Sequence, residues 1–117
     1  MYKDGFIERR KYARLECSMP VQYKKVGDLD SDINKALTKD ISEGGVRVVV
    51  DEYIPTASKL TLIISFPFRD KKIKALGKIV WTRRHSEMPI YDLGIEFIST
   101  TKSAKRDIAD FVRSKLS

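Results

Sequence analysis

From Val46 to Phe97 the apolar residues of this chain recur at alternate positions, and that period of two constrains the fold more than any other feature. Val46, Val48 and Val50 form one set, separated by Arg47 and Val49. Leu60, Leu62, Ile64 and Phe66 form a second, with Thr61, Ile63 and Ser65 opposite them. Tyr91, Leu93, Ile95 and Phe97 make a third. Each run reads as a strand with one buried face.

The remaining segments can be placed around these three. Leu15 to Tyr23 reads as a strand, with Pro20 putting it near an edge or forcing a bulge. Lys24 to Lys35 is polar and reads as a loop, Ala36 to Asp40 as a short strand, and Ser42-Glu43-Gly44-Gly45 as a turn. Asp51 to Lys59 connects, Phe68 to Lys72 turns the chain, and Ile73 to Thr82 is long enough for the longest strand. Its alternation slips: Ile73, Ala75, Ile79 and Trp81 share parity, whereas Leu76 and Val80 do not. A bulge or barrel corner at Gly77 accounts for that slip. Arg83 to Pro89 is a further loop. The period then changes to that of a helix, with Ala104, Ile108, Phe111, Val112 and Leu116 on one stripe and Thr101 or Ser103 available as N-cap. Arg113 and Lys115 suit the last turn, while Lys105 and Arg106 oppose the dipole near the start. Six short strands and one helix predict a mainly all-β chain: a six-stranded antiparallel barrel over residues 15–117, with a C-terminal helix at about 101–116 packed across it. Residues 1–14 show no sustained period and are expected to form a mobile arm.

At 117 residues there is room for one domain with one core. The formal charge of +7 favours an anionic partner: a nucleotide, a nucleic acid or a lipid surface. Cys17 is the only cysteine, so no internal disulfide forms, and with the single histidine, His85, it cannot build a Cys/His zinc cluster. The most apolar run, Leu60 to Phe68, is interrupted and far too short to span a bilayer. The first residues lack the apolar core of a signal peptide. The reading is a cytoplasmic chain without membrane insertion. Catalysis has little support either. Ser42 is not in a nucleophile elbow, Gly44-Gly45 lacks the lysine and spacing of a phosphate loop, and His85 has no orienting partner that the sequence identifies. No enzyme activity, cofactor or metal is expected.

Two short stretches carry binding chemistry. The cluster Arg9-Arg10-Lys11-Tyr12-Ala13-Arg14 precedes the first strand, and Asp40-Ile41-Ser42-Glu43-Gly44-Gly45 joins two others. Arginine's planar fork fits phosphate oxygens and the O6/N7 edge of guanine, and its flat face stacks on a purine. A carboxylate such as Asp40 accepts from guanine N1–H and N2–H. Simpler readings stand beside this one: a solvated basic tail, and a turn in which Asp40 or Ser42 caps neighbouring amides. Trp81, Phe97 and Phe111 read as core, Cys17 as a small buried hydrophobe, and His85 as exposed.

Arg10-x-x-x-Arg14 followed by Asp40-x-Ser42-x-x-Gly45 resembles the paired motifs of the PilZ domain, Arg-x-x-x-Arg and Asp/Asn-x-Ser-x-x-Gly. Gly77-Lys78-Ile79-Val80-Trp81 and Leu93-Gly94-Ile95-Glu96-Phe97 resemble its later strands, so the similarity runs from about residue 8 to the end. The resemblance implies a bacterial receptor for the second messenger cyclic di-GMP on a six-stranded barrel. Arg10 and Arg14, with Arg9 beside them, would grip phosphates and the Hoogsteen edge of guanine. Asp40 and Ser42 would hold a guanine, and Gly44 and Gly45 would admit close backbone approach. The arm would fold over the ligand and pass the signal to a separate protein. Two alternatives remain open: a PilZ-fold interaction module with weak or no nucleotide binding, and a small basic barrel binding single-stranded nucleic acid. The last needs outward aromatics, whereas the row from Tyr91 to Phe97 reads as core.

Overall fold

The computed structural model describes residues 13–27, 32–66 and 70–116, and turns the three alternating runs into walls of one closed sheet. The strands are β1 Leu15–Glu16, β2 Pro20–Lys25, β3 Asn34–Ile41, β4 Gly45–Val50, β5 Lys59–Phe66, β6 Lys71–Arg84 and β7 Tyr91–Thr100, followed by the helix α1 Lys102–Leu116. The sheet runs β3-β2-β5-β6-β7-β4, and β4 pairs back onto β3 to close a six-stranded antiparallel barrel. Among the described residues, closure leaves no long unpaired edge. Of the expected arm, Arg9, Arg10 and Tyr12 lie outside the described residues, as do Phe68 and Arg69 of the expected turn.

The strand expected over Leu15–Tyr23 is split. Its first piece, β1, pairs with Asp40 and Ile41, and its second, β2, pairs with Asn34 to Leu37 of the same strand. Pro20 opens β2, where its missing N–H is tolerated. Thr38, 2% exposed, closes the gap between the pieces. Its hydroxyl accepts from the Met19 N–H at 2.9 Å and donates to the Cys17 carbonyl at 2.6 Å. Cys17 itself is half-buried against the core, and burial pushes its thiol above the ordinary value.

Strand β3 is longer than the expected Ala36–Asp40, because pairing on both flanks extends it where its own apolar pattern is weak. A bulge at Lys39 interrupts its pairing with β4: Thr38 faces Val48, whereas Asp40 faces Arg47. The extra residue flips the parity of the rest of the strand. Thr38 points inward with Val48. Asp40, two residues on, points outward with Arg47.

Strand β6 is the longest, as expected, and carries two irregularities against β7. The first falls between Leu76 and Gly77, where the sequence placed the slip; the extra residue is Ile98 on β7. The second lies between Ile79 and Trp81, with Val80 as the extra residue. Both are nearly half exposed, Ile98 at 47% and Val80 at 49%. The second bulge corrects the reading of Trp81. Beyond it the strand reverses parity, so Trp81 pairs with Gly94 on the outer surface and does not join Ile79 in the core.

The core holds the first two alternating runs, Val46, Val48, Val50 and Leu60, Leu62, Ile64, Phe66, and the centre of the third, Leu93 and Ile95, while Tyr91 and Phe97 pack against it partly buried. Burial of this kind contributes about 1.5–3 kcal/mol per large side chain. Helix α1 adds Ala104, Ile108, Phe111 and Val112; the side chain of Leu116 lies outside the described residues. Phe111 stacks on Phe66 with ring centroids 4.9 Å apart, and Lys71 pairs with Asp107 at 2.8 Å. Thr101 is the N-cap, its hydroxyl accepting from the Ala104 N–H at 3.0 Å. No described helix is long and apolar enough to cross a membrane.

Candidate functional site

The bulge at Lys39 turns Asp40 to the outer surface of the barrel, and the cross-strand register sets its neighbours. One row runs Glu16, Asp40, Arg47, Gly94, Trp81, taking one residue from each of β1, β3, β4, β7 and β6. Arg14, one residue ahead of β1, reaches this row from the side. Its Nη1 lies 3.5 Å from Asp40 Oδ1. The structure thus brings together one residue from each motif, Arg14 and Asp40. Arg9 and Arg10 lie outside the described residues.

Asp40 is only 7% exposed and has a second cationic neighbour. Arg47 Nε lies 3.1 Å from Asp40 Oδ2. That distance makes an ion pair, yet the N–H is not aimed at the carboxylate, and this buried donor has no hydrogen-bond acceptor among the described residues. A buried donor left unmatched costs ~1–3 kcal/mol, reduced here by the nearby negative charge. Sequence reasoning passed over Arg47. Its signal was present, since Arg47 alternates with the inward Val46 and Val48 and comes two residues after the motif glycine.

Ser42 and the two glycines behave as a self-contained turn. Ser42 N donates to the Gly45 carbonyl at 2.9 Å, and its hydroxyl accepts from Gly44 N at 3.2 Å. Gly44 in turn receives the Phe97 N–H on its carbonyl at 2.9 Å. A Cβ at Gly45 would run into the Ile95 carbonyl on β7. The need for glycine there comes from strand packing, a reason the motif alone does not reveal. A polar groove of about 550 Å³ opens beside the turn, bordered by Glu43, Gly44, Glu96, Lys102 and Lys105.

At the other end of the row Trp81 is half-buried on the outer surface, its indole over Gly94, and the Arg83 guanidinium carbon lies 5.9 Å from the ring centroid. Of the aromatics expected in the core, Phe111 is buried and Phe97 packs partly against it, but Trp81 is a surface group. Beyond Arg83 the carboxylate of Asp92, 3% exposed, meets Arg83 Nη2 at 3.2 Å and His85 Nε2 at 3.1 Å. Burial alone would raise the Asp92 carboxyl. The bonds to His85 and Arg83 outweigh it and hold the group below its ordinary value. His85 therefore has an orienting partner that sequence spacing did not identify. Among the described residues no cluster of three or more His, Cys, Asp or Glu side chains is placed to hold a metal ion.

The fold is similar to several solved structures. That of the Bacillus subtilis inhibitor of motility (MotI/DgrA) aligns with a TM-score of 0.80 and 18% identity over 94% of this chain and 52% of the other. The PilZ domain of Escherichia coli YcgR, with cyclic di-GMP, aligns with a TM-score of 0.72 and 13% identity over 91% and 90%. The PilZ domain of CeSA from a cellulose-synthesizing bacterium aligns with a TM-score of 0.62 and 12% identity over 90% and 99%. The chain spans about half the length of the MotI/DgrA chain it matches and nearly all of the other two. At these identities the likeness shows the fold alone. No curated protein sequence matches the chain. The PilZ domain model matches it across residues 8–114, a span that takes in both motifs, all of the barrel and most of the helix, and so the chain belongs to the PilZ domain family.

Proposed function

We propose that this protein is a receptor for cyclic di-GMP that folds its Arg9–Arg14 arm over the ligand and signals through a separate partner protein. The observation that carries this reading is the meeting of Arg14 and Asp40, 3.5 Å apart on the outer surface, with the Ser42–Gly45 turn directly after Asp40 and Ile41. A solvated tail and an independent turn would have no reason to converge. Cyclic di-GMP carries two phosphates and two guanines. Arginine forks suit the first, and a fixed carboxylate suits the N1–H and N2–H edge of the second. A structural neighbour, the YcgR PilZ domain, holds cyclic di-GMP, which supports the same reading here.

A second reading is favoured by one observation. The Ser42 hydroxyl is engaged within its own turn and Asp40 is already paired with two arginines, as in a surface that binds no nucleotide. In that case the chain is an interaction module of the same fold. Single-stranded nucleic acid has less support, because Leu93 and Ile95 lie in the core and present no aromatic row.

Isothermal titration with cyclic di-GMP, cyclic di-AMP and GTP at moderate salt separates these readings. Saturable heat with cyclic di-GMP alone is the expected result. Silence at two temperatures would favour the interaction module, and an equal response to all three would mean a nonspecific basic surface.

A further inference from the structure

A carboxylate as enclosed as Asp40 needs a standing counter-charge, because an isolated buried ion is costly. Arg14 and Arg47 both supply one, on unequal terms. The Arg14 side chain is 42% exposed and 3.5 Å away, and it extends from a residue ahead of the first strand. The Arg47 side chain is 26% exposed and 3.1 Å away. It is fixed in the middle of β4, paired on one side with Asp40 itself and on the other with Gly94. Ladder pairing on both sides anchors the Arg47 backbone beside Asp40, so its guanidinium moves only by side-chain rotation, whereas Arg14 precedes β1 and can be drawn away together with its backbone.

A cyclic dinucleotide makes opposite demands on these groups. Its phosphates draw arginine away, and its guanine edge offers Asp40 only neutral donors. With Arg14 as sole partner, binding would leave an enclosed carboxylate without a cation beside a dianion.

We propose that Arg47 is the positioning residue of this site: the stationary counter-ion that holds the Asp40 carboxylate oriented while Arg14 exchanges from carboxylate to phosphate. The inference rests on the nucleotide reading given above. In this role Arg47 acts through Asp40. Its unmatched Nε–H is the donor that turns onto Asp40 Oδ2 once Arg14 departs.

Titrations of wild type, Arg47→Met and Arg47→Lys with cyclic di-GMP and with cyclic di-IMP, which lacks the N2 amino group, test this. Arg47→Met is expected to weaken cyclic di-GMP by about tenfold or more and to bring its preference over cyclic di-IMP toward unity, with Arg47→Lys restoring part of both. Wild-type affinity and preference in Arg47→Met would overturn the assignment. So would equal weakening of both ligands with the preference intact, since that marks a general charge effect. Wild type that binds neither ligand would overturn the nucleotide reading instead. Hydrogen exchange of the two arginine Nε–H groups in the free protein covers that case, and also the case in which Arg47→Met fails to fold. Slower exchange at Arg47 than at Arg14 is expected, and equal rates would overturn the stationary role.

Discussion

The indole of Trp81 covers Gly94 so closely that a Cβ at that glycine would overlap the five-membered ring. The contact exists because the Val80 bulge brings Trp81 to the outer surface directly opposite a residue without a side chain. Gly94→Ala must therefore displace the indole or strain β7. The expected cost is about 1–3 kcal/mol of stability, as for other overpacked sites. Trp81 is the only tryptophan of the chain, so its emission reports the change directly. A red-shifted native spectrum together with a lower urea midpoint is expected. An unshifted spectrum at unchanged stability would show that the contact is loose.

The sequence carried the three inward rows, the helix stripe and the motif pairing, because each depends on residue type at a fixed period. It did not carry the location of the bulges. Lys39, Val80 and Ile98 are ordinary residues whose role as the extra residue is set by the partner strand, and no local pattern reports that. The consequence was largest at the site. Parity counted along β6 put Trp81 inside, and parity counted along β3 would have put Asp40 beside Thr38 in the core. Gly77 was the one irregularity that sequence could flag, since a glycine within an apolar strand is itself a signal. Arg47 was readable in principle as the outward residue between two inward valines. Its significance appeared only once β3 was paired opposite it.

Arg14→Ala and Asp40→Asn are expected to act differently on cyclic di-GMP. Arg14→Ala removes charge-assisted bonds worth ~1.5–3 kcal/mol, hence roughly a ten- to hundredfold loss of affinity. The loss should be steeper at low salt, because the Arg14 side chain is 42% exposed and screened at high salt. Asp40→Asn offers an amide where guanine presents two donors, so the preference for guanine over hypoxanthine should shrink while salt dependence is retained. Titrations at two ionic strengths distinguish the two effects. Matching losses at both salts for both variants would mean a shared effect on folding, which circular dichroism would reveal.

Thr38 is a structural counterpart within the same strand. Its hydroxyl serves the Met19 N–H and the Cys17 carbonyl, both left unpaired by the break between β1 and β2. Thr38→Val keeps the shape and removes both bonds. It should cost about 1–3 kcal/mol for each group left unmatched, whereas Thr38→Ser should retain most of the stability. Chemical denaturation of the pair is the check. Equal midpoints for Val and Ser would assign the role to packing. Because Arg14 and β1 hang from this junction, Thr38→Val should also weaken the Arg14–Asp40 contact.

Asp92 makes stability depend on pH, and its environment sets the direction. Burial opposes ionisation, but the bonds to His85 and Arg83 prevail, so the folded-state value lies below the ordinary one. The folded protein then holds fewer protons than the unfolded chain. The stabilisation is fully present above the unfolded value of about 3.9, and is lost as the pH falls from there through the folded value. Asp92→Asn should be less stable than wild type near pH 6, by ~1–3 kcal/mol for the lost charged acceptor. The gap sits toward the lower end, because the Arg83 side chain is 66% exposed and its attraction is screened by solvent. On acidification the gap should begin to close near pH 4 and vanish only below the lowered folded value, where wild-type Asp92 is neutral as well. Melting temperatures measured from pH 6 to pH 2.5 decide the matter. A gap that stays constant across that range would mean that the ionised form of Asp92 contributes nothing, and that Arg83 and His85 gather around it for packing alone.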